Sequence, residues 1–140
     1  MNTNGYDTPE DAAMEGFPPQ YCRVIASRVR GDLAYVLLDT HPEGWRYLYG
    51  SHCYRQNGKW GEISSSNGGG WHQAGDDPDV GTFALWGEAP PGAIAARVRF
   101  AEEITEEPLT DGVYLVVRWA VPSDVEWPGL IGFRFADHYP

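Results

Sequence analysis

The sequence predicts an all-β fold: a single antiparallel β-sandwich or partly closed barrel of about eight strands, with one short N-terminal helix. Apolar and polar side chains alternate in Ala93–Phe100 and in Val113–Val121, as they do in strands that bury one face. Asn57-Gly58 and Asp111-Gly112 are dipeptides typical of tight hairpin turns. No helical pattern is long enough to connect parallel strands, so we expect antiparallel pairing.

The N-terminal residues predict a tail followed by a short helix. Residues 1–7 are polar and acidic, and we expect a flexible tail there. Thr8 is expected to cap a helix over Pro9–Glu15, which Gly16 then ends. A helix of about two turns needs tertiary packing, and we expect it to lie at the edge or end of a sheet. The single β-rich domain is predicted to span residues 8–140.

Turn residues divide the rest of the chain into predicted strands. Gly31 can supply the positive φ of the first hairpin, and Asn57-Gly58 is the strongest hairpin signal in the chain. The predicted strands are residues 21–29, 33–39, 46–55, 60–64, 82–86, 93–100, 113–121 and 131–135.

Charge excludes several classes of partner. The chain has 10 basic and 20 acidic residues, which gives a formal net charge of −10. The basic residues are scattered, so we expect neither nucleic acid nor an anionic membrane as a partner. No apolar run approaches the roughly 18 residues of a membrane span, and the polar N-terminus does not read as a signal peptide. We therefore expect a cytoplasmic protein, whose field would attract a basic protein partner.

The segment Ser64–Asp79 is predicted to be a long loop and the most eligible place for function. Its arm Ser64–Gly70 is expected to be the most mobile internal segment. Trp71 is the exception in this polar stretch, and we expect it to be a plug that ties the loop to the sheet rather than a free binding anchor. The acidic run at its end lacks calcium-loop spacing, so no metal is expected.

Aromatic residues form a second group of candidate binding residues. Tyr47 and Tyr49 are two positions apart and would share one face of a strand. With Trp60 and Trp71 they could stack on a sugar or another small ligand, provided that their rings are exposed.

No local motif indicates an enzyme. His52 and Cys53 are adjacent, so on a strand they would face opposite sides of the sheet. We expect Cys22 and Cys53 to be reduced thiols in the core. No cofactor is expected. A small hydrolase or cyclase whose site assembles across the fold stays open as a further alternative.

The leading hypothesis is an acidic, non-enzymatic protein-interaction module, for example an immunity or inhibitor protein that covers a basic partner. A small-ligand or carbohydrate-binding domain is the alternative. The candidate contact residues for a partner or ligand are Tyr47, Tyr49, Trp60, Asn67, Trp71, His72, Asp76 and Asp77.

Overall fold

A computed structural model of the chain describes residues 5–41, 43–66 and 69–136. In these ranges ten strands form three antiparallel sheets, accompanied by one short α-helix and one 3-10 turn. The predicted all-β class is therefore confirmed. The described sheets are open rather than closed into a barrel, which favours the sandwich of the two predicted architectures. No helix in this part of the chain is long and apolar enough to cross a membrane.

All eight predicted strands are present with shifted bounds in most cases, and two further strands, Gly70–Gln73 and Glu103–Pro108, were missed. The helix α1 covers Pro9–Ala13, and the 3-10 turn covers Pro19–Tyr21, where the first strand was expected to begin. The strands are β1 Arg23–Arg30, β2 Leu33–Asp39, β3 Leu48–Gln56, β4 Lys59–Ser66, β5 Gly70–Gln73, β6 Val80–Glu88, β7 Ala93–Phe100, β8 Glu103–Pro108, β9 Val113–Pro122 and β10 Gly129–Phe135.

The chain divides into two compact units, Met1–Gly69 and Gly70–Pro140, which we describe separately as the N-terminal and C-terminal units. A single domain over residues 8–140 stays a prediction.

In the N-terminal unit the four strands β1 to β4 follow one another in space as a meander. Gly31 has φ 61°, and Asn57 and Gly58 have φ 57° and 78°. Two successive positive φ values define the type I′ turn that matches the twist of paired strands. The two predicted hairpins of this unit are confirmed.

Helix α1 packs on the face of this sheet, against β2, β3 and β4, and not at its edge or end as expected. The buried side chains of Ala12 and Ala13 explain the placement, because small side chains let a helix approach a sheet closely. Thr8 Oγ1 accepts a hydrogen bond from the Asp11 N–H at 3.1 Å, so the predicted cap is confirmed. The helix ends at Ala13, two residues earlier than predicted.

The core of the N-terminal unit lies between α1 and the sheet. Its buried members are Ala12, Ala13, Cys22, Ala34, Val36, Leu38, Cys53 and Trp60. Both thiols are free and buried in this cluster. Ser27 Oγ donates to Glu10 Oε2 at 2.6 Å, which adds a polar link between β1 and the helix.

The C-terminal unit contains two three-stranded sheets, β5-β6-β9 and β10-β7-β8. Ala96 and Val98 of β7 pack against Tyr114 and Val116 of β9, and the rings of Tyr114 and Phe133 are 5.8 Å apart. Because side chains of both sheets form one buried cluster, this unit is a small β-sandwich.

Candidate functional site

The most exposed large apolar side chain among the described residues is Trp45, which is 91% exposed. It lies in the loop between β2 and β3, two residues before Tyr47, which is 53% exposed. Five residues of this loop line a shallow cavity of about 330 Å³: Thr40, His41, Trp45, Arg46 and Tyr47. We call these five residues the Trp45 tip.

Asp39 holds the base of the tip. It is the last residue of β2 and is only 2% exposed. Its Oδ1 accepts hydrogen bonds from the N–H groups of His41 at 2.9 Å and Tyr47 at 3.2 Å. Arg46 Nε lies 3.8 Å from Asp39 Oδ2. A buried carboxylate needs such partners, and here they tie both ends of the loop to one group.

Further bonds close the loop around Gly44. The Thr40 N–H donates to Tyr47 O at 2.9 Å, and His41 Nδ1 lies 3.0 Å from Trp45 O. A Cβ atom at Gly44 would be 2.0 Å from His41 Cε1, so the imidazole packs against this glycine. The backbone at Gly44 and Trp45 is thus hydrogen-bonded to His41, while the indole projects into solvent.

The residue types of the tip are those found at protein-binding surfaces. Trp, Arg and Tyr are the residue types that most often dominate protein-binding energy, and Trp45, Arg46 and Tyr47 present them consecutively. A preformed loop loses less conformational entropy on binding than a flexible one. The described part of the chain contains no group of three or more His, Cys, Asp or Glu residues that could hold a metal ion.

Of the predicted contact residues in the N-terminal unit, only Tyr47 belongs to the tip. Tyr49 is half-buried in β3, its ring 5.7 Å from that of Phe17. Trp60 is 4% exposed in the core, with the Arg55 guanidinium 5.2 Å from its ring centroid. This burial argues against the stacking role predicted for Trp60, which stays a prediction. Asn67 lies outside the described residues.

The remaining predicted contact residues lie in the C-terminal unit. Trp71 is half-buried in β5, and its Nε1–H donates to Val121 O at 2.8 Å. His72 follows it in the same strand, with Nδ1 2.6 Å from Gln73 O. Asp76 and Asp77 are exposed, and Asp77 Oδ1 accepts from the Asp79 N–H at 2.9 Å.

The long loop predicted over Ser64–Asp79 is correct only in part, because strands occupy seven of its sixteen residues. β4 continues to Ser66, and β5 occupies Gly70–Gln73 by pairing with β6. Residues 67 and 68, the centre of the expected mobile arm, lie outside the described residues, and its mobility stays a prediction.

The thiols do not resemble nucleophiles. Burial raises the pKa of Cys53 to about 11 and also raises the pKa of Cys22. Both groups are therefore neutral thiols near pH 7, whereas a reactive cysteine needs thiolate character. His52 instead packs edge-on against the Tyr35 ring, with centroids 4.8 Å apart.

Sequence reasoning did not include Trp45 among the contact residues. Its local sequence carries no usable signal, because Trp71 also follows a glycine in a polar segment and is half-buried. Comparison with known proteins supplies no further guide: no family model, no curated protein and no solved structure matches this chain.

Proposed function

We propose that this chain is a non-enzymatic protein-interaction module that binds its partner through the Trp45 tip. The observation that carries the proposal is a 91% exposed tryptophan on a loop that a buried carboxylate holds in place. Burial of one tryptophan removes about 150–250 Å² from water, which contributes roughly 4–6 kcal/mol before the costs of association. Trp45 would therefore be the central anchor and Tyr47 and Arg46 its neighbours.

The placement of the other rings supports a protein partner over a small ligand. A carbohydrate site would need several exposed ring faces around one cleft. Trp60 is buried instead, and Trp71 packs within its own sheet.

The charge supports a basic partner. A net charge of −10 on 140 residues creates a field that speeds encounter with a positively charged protein. An immunity or inhibitor protein that covers a basic enzyme, in the cytoplasm, is the specific form that we propose. Raising the salt concentration should then slow association more than dissociation.

Site-specific photo-crosslinking tests the proposal. A photoreactive phenylalanine analogue replaces Trp45 in the full chain, in the cells that naturally produce it. Position 54 is the matched control, because Tyr54 is also exposed but lies near the other end of β3, roughly 20 Å along the strand from Leu48. We expect one discrete protein adduct from position 45 and none from position 54. No adduct at 45, or the same adducts at both positions, would overturn the proposal.

The identified partner permits a quantitative test. Trp45→Ala should weaken binding by about 30-fold or more, as substitution of a binding hot spot does. Tyr54→Ala should change the Kd by less than about threefold. Equal losses in the two variants would mean that the tip is not the anchor.

A further inference from the structure

The outer face of the sheet β10-β7-β8 carries three of the four arginines of the acidic C-terminal unit. Ala96 and Val98 point into the core, so Arg97 and Arg99 lie on the opposite face of β7. Arg97 and Arg134 share one carboxylate, Glu106, at 3.9 and 2.7 Å. Among the described residues, Arg99 has no carboxylate within ion-pair distance.

Arg99 borders a cavity of about 230 Å³ whose other walls are Ala101, Glu126, Trp127, Gly129 and Ile131. Gly129 is the register partner of Arg99 on β10, and a Cβ atom built there would meet nothing within 4 Å. The missing side chain therefore leaves open space beside the guanidinium.

The apolar wall of the cavity is exposed but held in place. Trp127 is 44% exposed, and its ring lies 5.7 Å from that of Phe83, which is buried in β6. Ile131 of β10 is exposed to a similar degree. These two side chains offer exposed apolar surface to a ligand.

The two charged walls have opposite signs and are not paired with each other. Glu126 is exposed and, like Arg99, has no described ion-pair partner. One cavity thus presents a cation, an anion and an apolar wall, which is the complement of a compact zwitterion with an apolar side chain. Its volume lies below the roughly 300–1,000 Å³ of sites for larger ligands, which fits one small molecule and not a nucleotide or an oligosaccharide.

We propose that this cavity binds a free α-amino acid with an aliphatic side chain. The Arg99 guanidinium donates to the carboxylate, for which its planar fork is suited. The Glu126 carboxylate accepts from the ammonium group. The aliphatic side chain lies against Trp127 and Ile131. The site is separate from the Trp45 tip and does not depend on the function proposed for it.

Nuclear magnetic resonance of the ¹⁵N-labelled indole groups in the full chain tests the proposal. The Trp127 signal is assigned by its loss in Trp127→Phe. L-Leucine is titrated to about 10 mM, which detects a Kd of order 1 mM. Two analogues, 4-methylpentanoate and 3-methylbutylamine, each lack one of the two charges. We expect a saturable shift of the Trp127 signal with leucine and binding at least tenfold weaker with either analogue.

Matched variants separate the charged contacts from general electrostatics. Arg99→Gln and Glu126→Gln should each weaken leucine binding by about tenfold or more. Arg97→Gln and Glu103→Gln change the charge by the same amount outside the cavity lining and should leave the Kd within about twofold. No saturable shift of Trp127, or equal binding of leucine and 4-methylpentanoate, would overturn the proposal.

Discussion

Trp45 and Trp71 occupy similar places in the sequence and opposite environments in the structure. Each directly follows a glycine in a polar segment. The Trp71 indole donates to Val121 O at 2.8 Å, and the Gly81 backbone lies beneath its ring. Trp45 is 91% exposed at the end of a loop. The strand beside a tryptophan, and not its local sequence, therefore decides whether the ring supports the fold or remains exposed.

The largest expected effect is that of Trp71→Ala. Loss of the half-buried ring and of its bond to Val121 O should lower the free energy of unfolding by about 2–4 kcal/mol. A urea melt measures it. Trp71→Phe is the control, because it keeps most of the ring and removes only the donor. A change within about 0.5 kcal/mol for Trp71→Ala would mean that Trp71 does not support the fold.

A glycine lies close to each tryptophan: Gly81 lies beneath the Trp71 ring, and Gly44 precedes Trp45 in its loop. Substitution of these two glycines should have different costs in stability. A Cβ at Gly81 would be 2.2 Å from His72 O, a backbone atom that cannot move without disturbing β5. Gly81→Ala should therefore cost about 1–3 kcal/mol of stability. Gly44→Ala meets only the exposed His41 ring, which can rotate away, so it should cost less than Gly81→Ala in the same urea melts. The reverse order would contradict this account.

Substitution of Asp39, whose carboxylate binds the loop that carries Trp45, should have an intermediate effect on stability. Asp39→Asn keeps the shape of the side chain but removes the charge that faces two N–H groups and Arg46, at an expected cost of about 1–2 kcal/mol. Amide exchange at His41 and Tyr47 should become faster. Asp32→Asn is the matched control, because the Asp32–Arg55 pair is exposed and should contribute less than about 1 kcal/mol. Unchanged exchange at both amides would show that Asp39 does not hold the tip.

The smallest expected effect on stability is that of Trp45→Ala. An exposed side chain has little packing to lose, so the free energy of unfolding should stay within about 0.5 kcal/mol of the parent value. Thermal and urea melts of the two proteins check this. A loss above about 1 kcal/mol would assign Trp45 to the fold and remove the basis of the proposed binding role.

The parts of the fold that the sequence predicts are those with a local cause. Asn57-Gly58 and Asp111-Gly112 take positive φ at both positions, as their types favour. Ala93–Phe100 has the predicted bounds because its alternation reflects one buried face. The conformation of these turns and the bounds of this strand depend on residues that are close to one another in the sequence.

The features that were missed depend on distant residues. β5 is only Gly70–Gln73, and pairing with β6 makes it a strand. β8 has the sequence EITEEP, which lacks an apolar face, and it becomes a strand by pairing with β7. The exposure of Trp45 is likewise not set by its neighbours in the sequence, because Trp71 has similar neighbours and is half-buried. Sequence reasoning therefore located one member of the candidate site, Tyr47, but not Trp45.

The glutamates of β8 have a consequence for how copies of the protein behave in concentrated solution. β8 is the last strand of its sheet and pairs only with β7 in the described part of the chain. An open strand edge can form hydrogen bonds with the same edge of another molecule, and long apolar edges aggregate for this reason. If two such edges paired in parallel and in register, Glu103, Glu106 and Glu107 would each lie next to the same glutamate of the other copy. In addition, Pro108 lacks an N–H to donate. The composition of this strand thus disfavours sheet-to-sheet growth between copies of the protein.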